Sequence, residues 1–183
     1  MEASAQAVWL QGEICGWVNM IFVTVGNDFR SFDRLLKKMD EVAPLIPNEI
    51  VMQRGYSRYL PKNTKYFNFV SMNIAIEYIQ KSELVVSHAG IGTIILCKEY
   101  GIPILIFPRR KGYGEHMNDH QMEIAKALEE RRDENIHMIY QEDQLEEKIL
   151  KILRGGRRNT PAENIGKANL IKTIKEFVNR SQS

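Results

Sequence analysis

The sequence predicts an α/β domain whose sheet is Rossmann-like and mostly parallel, with helices on both faces. Three observations predict this class. Short runs rich in Val and Ile alternate with amphipathic segments from Met20 onward, as in strands joined by crossover helices. The segment from Val85 to Arg109 contains a strand, a glycine-rich turn, a helix and a second strand in that order. A length of 183 residues, 44% of them hydrophobic and 26% charged, suits one globular domain.

The first elements follow from apolar runs and from the polar residues that bound them. The run IFVTVG opens the pattern as a strand, Gly26 permits a close turn, and we expect Asp28 to cap the helix that follows. Two further runs favour strands before Ser71 starts a second helix. The elements predicted for this half are a strand at 20–26, a helix at about 29–43, strands at 49–54 and 65–69, and a helix at 72–81.

The second half alternates strand and helix more regularly. Val85 and Val86 belong to a strand that ends near His88, and Thr93 stands at the start of the next helix. After the apolar run that ends at Phe107, a polar loop leads to further elements. The predicted elements of this half are strands at 84–88, 103–107 and 136–140, and helices at 92–100, 118–132, 142–154 and 165–180.

The two ends of the chain differ from this body. Residues 1–19 lack the pattern, and we expect Met20 to be the natural start, with a short amphipathic or partner-binding helix near Val8 to Trp17 as the alternative. The linker-like stretch GGRRNTPAEN separates the body at 20–154 from a linker and helix at 155–183. That helix packs on the body or docks on a partner through an apolar face, formed by Ile165, Leu170, Ile171, Ile174 and Phe177.

Composition argues against several classes of function. The chain has 25 Lys and Arg against 23 Asp and Glu, so no global basic field points to nucleic acid. Two cysteines, Cys15 and Cys97, make no disulfide framework and fit a reducing cytoplasm. No apolar run approaches the roughly 20 residues that span a bilayer, and the start of the chain lacks the features of a signal peptide. We therefore expect a cytoplasmic protein that does not cross a membrane by itself.

The turn SHAGIGT is the most informative motif. Gly90 and Gly92 keep side chains away from the turn, and the helix that Thr93 opens has free N–H groups that attract phosphate. His88 is able to donate a hydrogen bond or a positive charge to the same oxygens. The alternative is a tight strand-to-helix connection without a ligand. Neither a third glycine at GxGxxG spacing nor a Gly-Lys-Ser/Thr ending is found, which disfavours a dehydrogenase and a P-loop ATPase.

Two other loops are expected at the same edge of the sheet, beyond the carboxyl ends of its strands. Gly26 and Asn27 follow the first strand and face that edge. Phe69 and Val70 end a later strand, and a planar base fits against them. The alternative is that Phe69 belongs to the core and Ser71 only caps a helix.

The loop PRRKGYGEHMNDHQ carries the densest chemistry. Three adjacent cations suit a phosphate or an anionic partner surface: Arg109, Arg110 and Lys111. A polar cluster further on suits the vicinal hydroxyls of a sugar: Asn118, Asp119, His120 and Gln121. The alternative is a solvated basic turn followed by an Asn or Asp cap.

Two histidines of this loop, His116 and His120, are four residues apart, a spacing that on a helix suits a metal ion. A cap near Asn118 puts His116 outside the helix, so the two rings do not share a helix face. We therefore expect no metal site.

The motifs VTVG, VVSHAGIGT, EYGIPILIFPR and GEHMNDHQ together resemble the glycosyltransferase family 28 C-terminal domain over about residues 20–150. The chain is especially similar to the small donor-binding subunits of two-subunit capsule and exopolysaccharide glycosyltransferases. It is also similar to the catalytic subunit of the UDP-N-acetylglucosamine transferase that acts on a dolichol-linked acceptor. The resemblance implies the C-terminal half of a GT-B enzyme, which binds a UDP-sugar beside a membrane-associated subunit that supplies the acceptor half.

By position, the resemblance assigns groups of residues to parts of the donor. Near the diphosphate fall Gly26 and Asn27, and near the uracil fall Phe69 and Val70. Around the phosphates lie His88, Gly90, Ile91, Gly92 and Thr93, and on the donor sugar lie Asn118, Asp119, His120 and Gln121. Leu96 stands where family members carry the glutamate that holds the ribose hydroxyls, and Glu99 is the candidate replacement one turn further on.

The resemblance also implies an inverting transfer, in which an acceptor hydroxyl attacks the anomeric carbon and uridine diphosphate leaves. His88 and backbone N–H groups then stabilise the leaving group, and no metal or other cofactor is expected. In enzymes of this shape the general base usually comes from the acceptor half, so Glu115 and His116 are only the local candidates. The expected acceptor is a lipid-linked saccharide, met at the cytoplasmic membrane face to which the partner recruits this chain.

Two other functions stay open. Leu96 at the ribose position favours a non-catalytic regulatory module that keeps the nucleotide-sugar site. A standalone GT-B-like enzyme, such as a sugar-nucleotide epimerase, needs two such domains and is disfavoured by a length of 183 residues. The sequence specifies neither the transferred sugar nor the acceptor.

Overall fold

A computed structural model of the chain describes residues 19–156. Its sheet has six strands in the spatial order β3-β2-β1-β4-β5-β6, and every neighbouring pair is parallel. This confirms the predicted fold class. The strands are β1 (Met20–Thr24), β2 (Glu49–Gln53), β3 (Lys65–Phe67), β4 (Ser82–Ser87), β5 (Ile104–Ile106) and β6 (Ile136–Met138).

Five helices cover the two faces of this sheet, each with its own apolar core. Alternate strand residues point to opposite faces, so Phe22 and Val85 pack on one side while Ile21 and Leu84 pack on the other. Side chains of α2, α3 and α4 fill the first core, and side chains of α1 and α5 fill the second. The helices are α1 (Asp33–Val42), α2 (Met72–Lys81), α3 (Ile91–Glu99), α4 (His120–Glu129) and α5 (Leu145–Gly155).

The order of the strands fixes where a ligand is expected. The chain builds outward from β1 through β2 to β3, then returns to place β4 on the other side of β1. In open parallel sheets, ligands bind beyond the carboxyl ends of the strands at such a reversal. The loops that leave β1 and β4 begin at Val25 and His88, so the crevice opens between them.

The element bounds depart from the prediction mainly at helix starts. Helix α1 begins at Asp33, so the prediction that Asp28 caps it is wrong: Asp28 instead accepts the N–H of Arg30 at 2.8 Å. Helix α3 begins at Ile91, two residues before Thr93. Ser71 does cap α2, since its Oγ accepts the N–H of Ile74 at 3.4 Å.

Several predictions concern parts of the chain that lie outside residues 19–156. They are the extension at 1–18, the linker beyond Gly156 and the C-terminal helix at 165–180. Within the described range, no helix is long and apolar enough to cross a membrane.

The crossover from β2 to β3 contains no helix and depends on a buried carboxylate. Asp40, on α1, is 1% exposed. Its oxygens accept hydrogen bonds from Tyr59 Oη and from the N–H groups of Lys62 and Asn63, each at 2.8 Å, and from Thr64 Oγ1 at 3.2 Å. Asp40 therefore holds the end of this loop against α1.

We expect Asp40→Ala to lower the free energy of unfolding by about 2–4 kcal/mol, because four donors lose their shared acceptor inside the protein. Urea unfolding followed by circular dichroism measures this change. The neighbouring exposed variant Glu41→Ala is the control and stays within about 0.5 kcal/mol of the parent. Equal stability of the two variants would contradict the role given to Asp40.

Candidate functional site

Five loops open at the edge of the sheet where the strands end, which we call the carboxyl edge. The loops follow β1, β2, β3, β4 and β5, and we assign to this edge their residues 25–32, 54–58, 68–71, 88–90 and 107–119. Every strand of the sheet runs in the same direction, so the loops that leave these five strands meet on one side of the domain. Most of the predicted site residues lie in these loops or at the helix starts that follow them.

His88 lies between two glycines at the centre of this edge. A Cβ atom on Gly26 would stand 2.5 Å from His88 Cε1, and one on Gly90 would stand 2.6 Å from the same atom and overlap Nε2. Gly26 also has a φ of +72°, which disfavours any other residue. The structure thus brings the predicted residues Gly26, His88 and Gly90 together, and both glycines are required for the ring to fit.

The surroundings of His88 keep its ring neutral near pH 7. Burial and the nearby Arg109 guanidinium lower the pKa of His88 to about 4, against the opposing effect of the Thr24 carbonyl and Asp28. The ring of His116 lies within electrostatic reach and lowers the same pKa slightly. In the ligand-free protein, His88 therefore does not carry the positive charge that the sequence analysis offered as one way to bind phosphate.

Arg109 is a buried clamp, and the prediction that it binds phosphate or a partner surface is wrong. The side chain is fully buried. Its Nη2 donates to the carbonyl of Val25 at 2.8 Å, and its Nη1 donates to the carbonyls of Arg30 and Glu115, both at 3.0 Å. The guanidinium also lies 4.7 Å from the ring centre of Phe32. Arg109 therefore ties the loop after β1 to the loop after β5.

Arg110 and Lys111 differ from Arg109 in exposure. The Arg110 side chain is half-buried and donates to the carbonyl of Tyr140. Lys111 is exposed, and its N–H donates to Asp119 Oδ1 at 3.0 Å. Of the three adjacent cations, only Lys111 presents its side chain freely to solvent at this edge.

Glu115 is buried and paired, which does not suit the predicted general base. Its two carboxylate oxygens accept Nε and Nη2 of Arg34, each at 2.8 Å, and Oε2 also accepts the N–H of Arg110 at 2.9 Å. A base must take a proton from the acceptor hydroxyl, but these oxygens are already committed to donors. Glu115 instead shapes the loop after β5, which leaves His116 as the local candidate for a base.

The predicted sugar-binding cluster lies at the start of α4, next to the end of β5. Gln121 is 7% exposed, and its Oε1 accepts the N–H of Arg109 at 3.1 Å. Asn118 Oδ1 lies 2.9 Å from His116 Nδ1 and 3.3 Å from the N–H of His120. His116 does stand outside the helix, as predicted. These bonds fold the cluster back onto the carboxyl edge, and the sugar contacts themselves remain a prediction.

The aromatic part of the edge surrounds Phe69. This side chain is 40% exposed, and the ring of Tyr56 meets it edge-on with 4.9 Å between ring centres. Gly55, at a φ of +54°, lets this loop approach the carbonyl of Gly26. Val70 packs against the core beside α2. A flat, exposed aromatic face beside the turn at Gly26 suits the stacking of a base.

A short hydrogen-bond chain positions Asn27. Thr24 Oγ1 donates to Gln53 Oε1 at 2.7 Å, and Gln53 Nε2 donates to Asn27 Oδ1 at 3.3 Å. Because Gln53 ends β2 and Thr24 ends β1, the chain links two neighbouring strand ends. Asn27 is exposed at the edge, where its amide nitrogen is available to a ligand.

Glu99 does not fit the ribose-binding position proposed for it. It is the last residue of α3, about 12 Å along the helix axis from Ile91. Gly90 to Thr93 lie at the opposite end of the helix, so Glu99 lies away from the carboxyl edge. Leu96 packs partly buried against the first core, and the structure offers no carboxylate in its place.

No group of three or more His, Cys, Asp or Glu side chains in residues 19–156 is arranged to hold a metal ion. His120 Nδ1 lies 3.6 Å from Glu123 Oε2, but this pair has no third ligand of that kind.

Comparison with known proteins agrees with this geometry. The model of the glycosyltransferase family 28 C-terminal domain matches residues 20–180. The chain belongs to this family. The match begins at β1 and includes all five loops of the carboxyl edge.

Other members provide more detail about the relationship. The human UDP-N-acetylglucosamine transferase subunit ALG13 is 33% identical over 119 residues, which cover 59% of this chain and 10% of the human protein. This chain thus spans about a tenth of the length of that relative. A solution structure of ALG13 superposes with a TM-score of 0.54 at 16% identity, covering 82% of this chain and 93% of that one. The structure of the spinosyn forosaminyltransferase SpnP superposes with a TM-score of 0.57 at 18% identity, covering 93% of this chain and 42% of that one. Such low identities show the shared fold alone.

Several residues of the site escaped the sequence analysis. Arg34, Gly55 and Gln53 position other residues through contacts that are distant in sequence, and only Gly55, in the dipeptide Gly55-Tyr56 after a strand, gave a turn signal. Ser87 was visible as the residue before His88, but its hydrogen bond to the Thr24 carbonyl depends on β1 lying beside β4.

We expect Gly90→Ala and Gly92→Ala to have opposite effects on stability, although both glycines lie in the turn SHAGIGT. A methyl group at Gly90 meets the His88 ring, whereas one at Gly92 meets nothing within 4 Å. Gly90→Ala should lower the free energy of unfolding by about 1–3 kcal/mol and shift the NMR signals of the His88 ring. Gly92→Ala should leave the ring signals in place and raise stability by up to about 1 kcal/mol, because alanine favours a helix. Unchanged ring signals in Gly90→Ala would contradict the packing described here.

The low pKa of His88 predicts a loss of stability in acid. The folded value is about 4, and the unfolded value is about 6.5. Between them the unfolded chain binds the extra proton, so stability that is present above about pH 6.5 is lost as the pH falls toward about 4. The His88 contribution should reach about 1–3 kcal/mol in urea unfolding at a series of pH values.

In His88→Gln, the free energy of unfolding should fall by about 1–3 kcal/mol less than in the parent as the pH is lowered from about 6.5 to about 4. His137→Gln is the comparison, because burial and Lys148 also lower the pKa of His137. A slope in His88→Gln equal to that of the parent would mean that His88 titrates normally in the folded protein.

Proposed function

We propose that this chain is the donor-binding catalytic subunit of an inverting glycosyltransferase that uses a UDP-sugar. The observation that carries the proposal is the position of His88 between Gly26 and Gly90, where the strand order reverses and α3 begins. Membership of a glycosyltransferase family and the name of the ALG13 relatives, which are UDP-N-acetylglucosamine transferase subunits, support the reaction class.

The donor fits the edge in a defined order. The diphosphate lies over Gly26, Gly90 and the first N–H groups of α3, which carry the positive end of the helix dipole. The uracil stacks near Phe69, and the sugar reaches the start of α4 at Asn118. Ile91, Gly92 and Thr93 form the first turn of that phosphate-binding helix.

The chemistry proposed is a single displacement at the anomeric carbon. An acceptor hydroxyl attacks, the bond to the diphosphate oxygen breaks, and the electron pair leaves with uridine diphosphate. Backbone N–H groups and His88 stabilise the charge that develops on the leaving group, and no metal ion takes part. The base that removes the acceptor proton comes from the partner subunit or from His116.

The composition of the carboxyl edge supports a partner subunit. Within residues 19–156, six of the eight exposed large hydrophobic side chains stand there: Phe29, Tyr56, Phe69, Met72, Tyr113 and Met117. Apart from the buried Arg109 and Glu115, the loop residues at this edge carry five Lys and Arg against two Asp and Glu. Aromatic residues, Met and Arg are enriched in protein interfaces. The partner proposed is a membrane-associated subunit that binds a lipid-linked saccharide and recruits this cytoplasmic chain to the membrane face.

A second candidate is a regulatory module that binds a nucleotide sugar without transferring it. The observation that favours it is the absence of a carboxylate at the ribose position, where Leu96 packs into the core and Glu99 lies at the far end of α3. Such a module keeps the diphosphate site but loses part of the donor affinity.

Isothermal calorimetry with UDP and a panel of UDP-sugars tests the donor site. We expect binding, weakened about 10- to 100-fold in His88→Ala because a hydrogen bond to a charged group is lost. His137→Ala, a half-buried histidine on β6 away from the edge, is the matched control and should bind like the parent. No binding of any UDP-sugar by the folded protein would overturn the donor-binding role.

Transfer separates the two candidate functions. The sugar of the tightest-binding donor, carried as a radiolabel, should enter a lipid-extractable product when the protein is mixed with membranes of its source cells. His88→Ala should abolish this product. Donor binding without any transfer would favour the regulatory module.

A further inference from the structure

Two oxygen atoms beside His88, the Ser87 hydroxyl and the Thr24 carbonyl, bear on which ring nitrogen carries the proton. Ser87 is fully buried at the end of β4, and its hydroxyl donates to the carbonyl of Thr24 at 3.1 Å. The same Ser87 oxygen lies 3.2 Å from His88 Nδ1. A hydroxyl has one proton, which Ser87 can give either to the Thr24 carbonyl or to Nδ1. When the proton goes to the carbonyl, the contact with the ring is a hydrogen bond only if Nδ1 is the donor.

The other ring nitrogen faces the ligand side. Nε2 lies against Gly90, directly before the first turn of α3. In a neutral ring with its proton on Nδ1, Nε2 has a lone pair and no hydrogen. A lone pair repels a phosphate oxygen. A neutral ring protonated on Nδ1 is thus mismatched to the anion that the surrounding N–H groups attract.

The charged groups around the ring come from two loops, those after β1 and β5. Arg109 and His116, from the loop after β5, disfavour a proton on His88, whereas Asp28, from the loop after β1, and the Thr24 carbonyl favour it. Burial, Arg109 and His116 outweigh the other two groups, so the ring is neutral in the absence of an anion. A diphosphate adds two negative charges beside Nε2, which reverses this balance.

We propose that Ser87 is a positioning residue that holds the His88 proton on Nδ1, so that a diphosphate binds here only as His88 takes up a second proton at Nε2. The proton comes from solvent, and the imidazolium then donates from Nδ1 to Ser87 and from Nε2 to a phosphate oxygen. The uptake on binding rests on the proposed donor function, whereas the position of the first proton does not.

Calorimetry in buffers of different ionisation enthalpy measures the proton uptake. The probe is UDP-glucose, or the UDP-sugar that binds tightest, because its diphosphate does not itself titrate near neutral pH. At pH 7 we expect uptake of about one proton per bound molecule, and a dissociation constant that rises about tenfold per pH unit. Binding of the UDP-sugar without proton uptake would overturn the inference and leave the donor function intact.

Two serine variants test the role of Ser87. In Ser87→Ala the ring is free to carry its single proton on Nε2, so uptake should fall well below one proton while binding persists. Ser82→Ala is the matched control, since Ser82 is a buried serine at the other end of the same strand, bonded to the carbonyl of Tyr78 at 2.6 Å. Equal uptake in both variants would remove Ser87 from this role.

The tautomer of the ligand-free protein provides a test that needs no ligand. Long-range proton–nitrogen NMR spectra at pH 7 should show His88 protonated on Nδ1 in the parent and in Ser82→Ala, and shifted toward Nε2 in Ser87→Ala. A proton on Nε2 in the parent would overturn the inference. If the folded protein binds no UDP-sugar, the proposed donor function fails, and this spectrum alone decides the role of Ser87.

Discussion

The buried guanidinium of Arg109 is the constraint on which the carboxyl edge depends. A fully buried cation is costly unless its donors are used, and the two terminal nitrogens of Arg109 donate to the carbonyls of Val25, Arg30 and Glu115, while its Nε has no hydrogen-bond partner among the described residues. These carbonyls belong to the loops after β1 and β5, which Arg109 ties together. The buried Arg109 guanidinium, through its bond to the Val25 carbonyl, therefore helps to hold Gly26 beside His88. Burial lowers the pKa of Arg109, while Asp28 and Glu115 oppose that effect.

The other charged groups near Arg109 form two ion pairs that lie at different depths. Arg34 and Glu115 neutralise each other beneath the loop after β5, with Arg34 stacked 4.1 Å from the ring centre of Phe107. Asp28 and Arg30 form a weaker pair at 3.3 Å nearer the surface. A ligand that enters the crevice beside His88 meets backbone groups and one neutral imidazole, while Arg109 and Glu115 are buried and Lys111 is exposed at the same edge. Such an arrangement suits a highly charged ligand, because the fixed dipoles need little reorganisation.

The sequence could predict those parts that depend on local pattern. Strands buried on both faces have apolar centres, and Gly90 follows the end of a strand closely, so the sheet, the turn and most of the loops were predictable. The roles of Arg109 and Glu115 were not, because each depends on partners about 80 positions away, as in the Arg34 to Glu115 pair separated by 81. Asp28 was misassigned for a related reason: the Asx-type turn to Arg30 looks like a helix cap until the next helix is seen to begin at Asp33.

The hydrogen bonds of Arg109 also affect when the carboxyl edge forms during folding. The bond to Val25 spans 84 positions, and the bond to Arg30 spans 79. Closing so long a chain segment carries an entropic cost, which must be met before contacts of this kind can form. During synthesis the turn at His88 therefore emerges well before the side chain that arranges its surroundings. A nascent chain that ends at α3 contains the motif but lacks Arg109, so the arrangement of Gly26 beside His88 forms only after β5 and the loop that follows it have been made.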